Sequence, residues 1–138
     1  MSLSADRDTP QICPFYTFLR QLPVKGGVKI YAGGMVVLDG GYAKPAAEAT
    51  GLVCIGRAEE YVDNSDGSDG DVFVNVRRGI FRYNNSSSDD EITRADIGSD
   101  CYLVDDETVA KTNGSGTRSV AGKVFDVDDE GVWVEFYK

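Results

Sequence analysis

The side chains able to do chemistry in this sequence are 23 carboxylates, 14 lysines and arginines and three cysteines, with no histidine. Without histidine there is no Ser-His-Asp or Cys-His pairing, and the commonest ligand of a catalytic zinc is missing. Cys13, Cys54 and Cys101 are widely spaced and lack CxxC spacing, and Val53, Ile55, Tyr102 and Leu103 flank the last two. That context predicts reduced core thiols.

Two acidic features invite a functional reading. Residues 63–71 (DNSDGSDGD) look like a calcium loop, but placing Gly70 at the sixth position of an EF-hand puts Val76 where the bidentate Glu belongs. A solvated hairpin loop fits the run better, with a weak cation site as the alternative. The doublets Glu59-Glu60, Asp89-Asp90, Asp105-Asp106 and Asp128-Asp129 supply paired acids of the kind a glycosidase sets about 5 to 9.5 Å apart. Sequence neighbours in a strand point to opposite faces, so turn and strand-edge roles are expected of them instead. Gly33-Gly34 and residues 113–116 (NGSG) have no following Lys-Ser/Thr and read as turns rather than phosphate cradles. No catalytic residue, cofactor or metal site is assigned, and the chain is not expected to be an enzyme.

The formal net charge is -9 at pH 7, and only Arg77 and Arg78 stand adjacent among the cations. Duplex DNA repels such a chain unless its few cations gather in one patch, so nucleic acid is not expected as a partner. No run of about 18 apolar residues occurs, and Arg7 lies between Asp6 and Asp8 with no hydrophobic stretch behind it; neither a membrane span nor a secretory signal is expected.

The elements that would position these groups are read from hydrophobic period. The 138 residues suit one domain, which at this size buries roughly two-thirds of its unfolded surface. Alternation by two predicts strands at residues 71–77, with Val72, Val74 and Val76 opposite Phe73, Asn75 and Arg77, and at 131–138, with Val132, Val134 and Phe136 opposite Trp133, Glu135 and Tyr137. Residues 28–38 predict a strand buried on both faces with a bulge or bend at Gly33-Gly34. Further strands are predicted at 51–62, 101–104, 108–112 and 119–127. Asp39-Gly40-Gly41, residues 105–107 and residues 128–131 read as hairpin loops, so neighbouring strands are antiparallel. Residues 63–70, 83–90 and 113–116 read as exposed loops, and helix is limited to about one turn near 45–49 and another near 92–96. Seven or more short strands at this spacing give an all-β, antiparallel sandwich or barrel.

Residues 1–27 read as an N-terminal arm and 28–138 as the β domain. The arm carries an aromatic cluster, residues 14–19 (PFYTFL), which either folds back as a plug over one end of the domain or docks on a neighbouring subunit.

The ordered segments 5–10 (ADRDTP), 22–24 (LPV), 27–33 (GVKIYAG), 51–53 (GLV), 56–60 (GRAEE), 76–81 (VRRGIF), 92–98 (ITRADIG), 102–106 (YLVDD) and 131–134 (GVWV) resemble the capsid cement, or decoration, proteins of tailed bacteriophages over nearly the whole chain. Residues 11–21 depart from the polar sequence usual there. The resemblance implies a jelly-roll-like domain that binds the major capsid protein on the outside of the head, is made in the bacterial host cytoplasm, and clamps neighbouring capsomers as a homo-oligomer, a dimer in the first instance or a trimer. Contact candidates are Phe15, Tyr16, Phe18 and Arg20 on the arm, and Phe73 and Trp133 on outward strand faces. The alternative is a receptor- or carbohydrate-binding β-sandwich of a tail fibre, which calls for clustered exposed aromatic rings.

Overall fold

A computed structural model describes residues 4–5 and 18–138. In chain order the strands are β1 (Phe18–Pro23), β2 (Lys29–Ile30), β3 (Met35–Asp39), β4 (Tyr42–Pro45), β5 (Val53–Ala58), β6 (Val62–Asp63), β7 (Phe73–Arg78), β8 (Ile80–Tyr83), β9 (Asp100–Leu103), β10 (Val109–Ala110), β11 (Val120–Asp128) and β12 (Gly131–Glu135). Single-turn 3-10 helices at Ser88–Asp90 and Arg94–Asp96 are the helical elements among the described residues. Strands form a five-stranded sheet in the order β1-β7-β5-β3-β4, a second in the order β10-β9-β11-β12-β8, and a β2-β6 ribbon. All named pairs are antiparallel, as expected of this all-β chain.

Local chemistry explains the hairpins. Asp39 pairs with Tyr42 across Gly40-Gly41, whose φ values of 60° and 89° supply the two left-handed positions of a tight two-residue turn, which side chains with a Cβ resist. Asp128 pairs with Gly131, and its carboxylate accepts the Glu130 and Gly131 amides at 2.8 and 3.1 Å, satisfying donors the turn leaves free.

Burial follows the pleat. On β3, Met35 and Val37 join a core shared by the two large sheets, whereas Val36 joins a second core on the other side of the first sheet. The shared core gathers Cys54, Leu103, Val124, Val132, Val134 and Phe136, and the second gathers Val24, Ile30, Ala43, Ile55, Val74 and Val76. Edge strands of the first sheet meet where Val24, just beyond β1, bridges Ala43 in parallel and the Lys25 amide donates to the Ala43 carbonyl at 2.9 Å. The sheet thus curls around the second core, with Ile30 and Val62 of the ribbon packed against it. Between Arg78 and Ile80 the chain crosses from the first sheet to the second through a single buried residue, Gly79.

Several expectations are corrected. Residues 28–38 form two strands, not one bent strand: β2 and β3 lie in different sheets, parted by a turn at Gly33-Gly34. Residues 45–49 are not helical, since Pro45 ends β4. Tyr83 belongs to β8 and is buried rather than looped out. Residues 63–70 do not close a hairpin, because β6 pairs with β2 while β7 pairs with β1 and β5. Residues 18–23, placed in the arm, are paired with β7 along their whole length, so the sheet begins before the boundary drawn at residue 27. Among the described residues no helix is long and apolar enough to cross a membrane.

Cys54 and Cys101 are free and buried in the shared core, while Cys13 lies outside the described residues. Burial, and then the proximity of Cys101, pushes the Cys54 thiol far up; burial pushes Cys101 up to about 12. Both are therefore held as the inert neutral thiol. Iodoacetamide at pH 8 is expected to leave them unlabelled in the folded chain and to label both in denaturant, read by peptide mass mapping; equal labelling rates in the two states would contradict their burial. Because their protons are retained only in the folded chain, stability falls as pH rises past the ordinary thiol value of 9.0.

Candidate interaction surfaces

Of the contact candidates drawn from sequence, Phe15 and Tyr16 lie outside the described residues and Phe18 is the first residue of β1. Arg20 is not part of a free arm: it sits opposite Val76 in the β1–β7 register, half-buried, and its Nη2 donates to the Lys138 carbonyl at 3.1 Å. Phe73 is 50% exposed at the far end of the same strand pair, opposite Pro23. It shares the outward face with Leu19, which is 48% exposed and paired with Arg77.

Trp133 lies on the second sheet, paired with Arg82 and Asp126. Its indole N–H donates to Asp128 at 3.0 Å, the Arg82 guanidinium stands 5.6 Å from the ring centroid, and the side chain is half-buried. That indole N–H is the largest cause holding the Asp128 carboxyl below its ordinary value, with the Glu130 amide next. The ring is thus positioned by its polar handle, leaving part of its face on a depression shared with Arg57 and Phe81. The sequence candidates Phe73 and Trp133 therefore stand on different sheets and are not brought together.

The acid doublets part company, the two neighbouring carboxylates not sharing a partner in Glu59-Glu60 or in Asp89-Asp90. Glu59 accepts Arg57 Nη2 on both oxygens, at 3.0 and 2.7 Å, and also binds Arg77 Nε. The Arg57 guanidinium lies 4.0 Å from the Phe81 ring centroid. Glu60 instead accepts the Asn75 amide at 2.9 Å. Like-charged Arg57 and Arg77 face each other in the β5–β7 register, and the intervening Glu59 offsets a repulsion that would otherwise weaken the pair. Asp90 accepts the Thr112 hydroxyl and Arg118, whereas Asp89 is exposed.

In residues 63–71 three of the four carboxylates accept backbone amides: Asp63 from Ser65 at 2.9 Å, Asp69 from Gly26 at 2.8 Å and Asp71 from Ser68 at 2.9 Å, while Asp66 is exposed. Among the described residues no group of three or more acids or cysteines is placed to hold a metal ion. At the centre of this loop, Asn64 is only 3% exposed, a feature its polar neighbours do not announce.

Sequence reasoning missed the pair Tyr31 and Tyr61. They extend the β2–β6 ribbon beyond its Ile30–Val62 pairing, with centroids 5.3 Å apart at 35°, and are 59% and 51% exposed. Neither tyrosine alternates with a hydrophobic neighbour in a way that predicts a shared face; only the pairing of segments 30 residues apart creates it. Phe125, 52% exposed, is the extra residue of a bulge where β11 slips against β12, so it too leaves the pleat.

Comparison with family models, curated proteins and solved structures finds no match for this chain.

Proposed function

We propose that this protein binds the outer surface of a tailed-phage head and cements neighbouring capsomers of the major capsid protein, acting as a homo-oligomer, with a dimer favoured. The observation that carries the reading is the separation of large exposed apolar side chains, among them Leu19 and Phe73 on the first sheet, Phe125 on the second, and the Tyr31–Tyr61 pair beside the ribbon. A rigid two-sheet body with apolar anchors on different sheets can hold two neighbours at once. The second contact is then intramolecular, so individually modest interfaces give a steep gain in avidity. Aromatic side chains contribute disproportionately to such contacts. The ordered sequence segments resembling phage cement proteins support the phage assignment, and a jelly-roll-like sandwich belongs to the same reading.

The experiment is co-sedimentation of purified protein with expanded heads lacking it, followed by heating or osmotic shock. Saturable binding is expected, together with heads that release their DNA at a higher temperature. Protein left in the supernatant, or bound without any gain in resistance, defeats the proposal.

A further inference from the structure

We infer that the Tyr31–Tyr61 ring pair, with the Asp105–Glu107 turn beside it, is a docking surface for a lysine- or arginine-bearing segment of a partner protein. The inference deepens the shell-binding reading and rests on it only for which partner supplies that segment.

The tyrosines offer more than half of their surface to solvent, although rings of this size are ordinarily covered. Tyr31, Gly33 and Gly34 share one depression with Asp106 and Glu107, so one member of the ring pair and two of the carboxylates border the same space. Those carboxylates stand out by what they lack. Ion pairs tie down acids elsewhere, Arg118 holding both Glu48 and Asp90, yet among the described residues no lysine or arginine pairs with Asp105, Asp106 or Glu107. Asp105 accepts the Glu107 amide at 2.9 Å, and Glu107 accepts the Asn84 side chain at 3.3 Å. Arg57 lines the neighbouring depression across Gly33 but is held by both oxygens of Glu59. Lys29, on the same ribbon, stands opposite Asp63.

Burial, and then the charge of Asp105, raises the Asp106 carboxyl above its ordinary value, a cost that an incoming cation relieves. A lysine or arginine seated here places its charge over a tyrosine face and donates charge-assisted hydrogen bonds to the turn. Its aliphatic stem covers the rest of the ring pair. The net charge of -9 draws basic segments toward the chain from any direction, so position, not attraction alone, is what must be measured.

The test is an amide NMR titration of the full chain with an acetylated, amidated peptide, Gly-Lys-Gly-Arg-Gly-Lys-Gly, against the same peptide with glutamate for each cation. Shifts are expected at Tyr31, Tyr61 and residues 105–107, with affinity falling roughly tenfold in Tyr31→Ala/Tyr61→Ala and in Asp105→Asn/Asp106→Asn/Glu107→Gln. Asp66→Asn/Asp89→Asn/Asp129→Asn removes as much charge from exposed acids elsewhere and is expected to change affinity less than twofold. An equal loss in that control, shifts confined to residues 63–71, or chitotriose moving the tyrosines where the basic peptide does not, overturns the inference. Peptide binding at the tyrosine pair without head binding sinks the shell reading and leaves the docking surface standing. Absence of peptide binding at these residues, with heads that bind the Tyr31→Ala/Tyr61→Ala variant as tightly as the native protein, removes the surface and leaves the shell reading intact.

Discussion

Phe136→Ala is expected to lower the unfolding free energy by about 4 kcal/mol, the largest loss from any single truncation in the domain. Phe136 has no exposed surface, and its ring meets Tyr83 edge-on at 6.0 Å and Phe81 at 6.2 Å. Its amide donates to the Gly79 carbonyl at 3.0 Å, at the residue where the chain leaves the first sheet for the second. The ring therefore fills the joint between the sheets, and removing it leaves a cavity that two continuous strand segments cannot close without breaking their ladders. Phe136→Leu keeps most of the volume and is expected to cost about 1–2 kcal/mol. Phe125→Ala, at an exposed bulge, serves as the surface comparison, with a change within about 0.5 kcal/mol. Urea unfolding with a common m-value measures all three. A loss below about 1 kcal/mol for Phe136→Ala contradicts its place at the joint.

That joint was partly legible in the sequence. Alternation in residues 131–138 put Phe136 on the face of Val132 and Val134, where it is, and the Asp39-Gly40-Gly41 turn declared its hairpin because its two glycines take the required backbone. What failed to show was whatever depends on non-local partners. β1 has no period-two pattern, since Leu22 packs on the second core while Leu19 is half-exposed and Pro23 closes the strand. It is a strand because β7, some fifty residues on, supplies the ladder. The same holds for Gly33-Gly34, where local pattern marks a break but only the surrounding sheets decide that it separates two layers. Phe73 and Trp133 were visible as outward residues because each sits in a strongly alternating strand. Tyr31 and Tyr61 belong to a ribbon of two-residue strands, too short to carry a period at all.

Asn64 is the strongest instance, and it carries the second prediction. Surrounded by Asp, Ser and Gly, it reads as solvated, yet its side-chain NH2 lies 3.1 Å from the Val24 carbonyl, 3.1 Å from Lys25 and 3.0 Å from Ser68. It thereby ties the loop to the place where the first sheet closes on itself. Asn64→Ala removes this shared donor: the Val24 and Ser68 carbonyls keep the Gly70 and Asp71 amides, while the Lys25 carbonyl loses its side-chain partner, and the expected cost is about 1–3 kcal/mol at any pH. Asn64→Asp is expected to be worse at pH 7, because a carboxylate would face three carbonyl oxygens in a site that excludes water. Burial and the facing acceptors raise the folded-state pKa of the introduced carboxyl above the unfolded value of about 3.9. For a carboxyl raised in this way, the protonated form is the one the fold tolerates. The penalty is therefore small below about pH 3.9 and grows as pH rises. Acid also weakens the fold for an opposite reason. Asp39, Asp63, Asp90 and Asp128 are held below their ordinary values by Lys44, Ser65, Thr112 and Trp133 respectively, each the foremost cause, so their contribution is present at neutral pH and fades as pH falls through the lowered values. These groups are common to both variants and cancel in the difference between Asn64→Asp and Asn64→Ala, which isolates position 64. Urea unfolding of the pair at pH 4 and pH 7 should show Asn64→Asp losing ground to Asn64→Ala as pH rises. A difference that stays constant means that the introduced carboxyl has found solvent, and that the loop opens without cost to the sheet edges it was holding together.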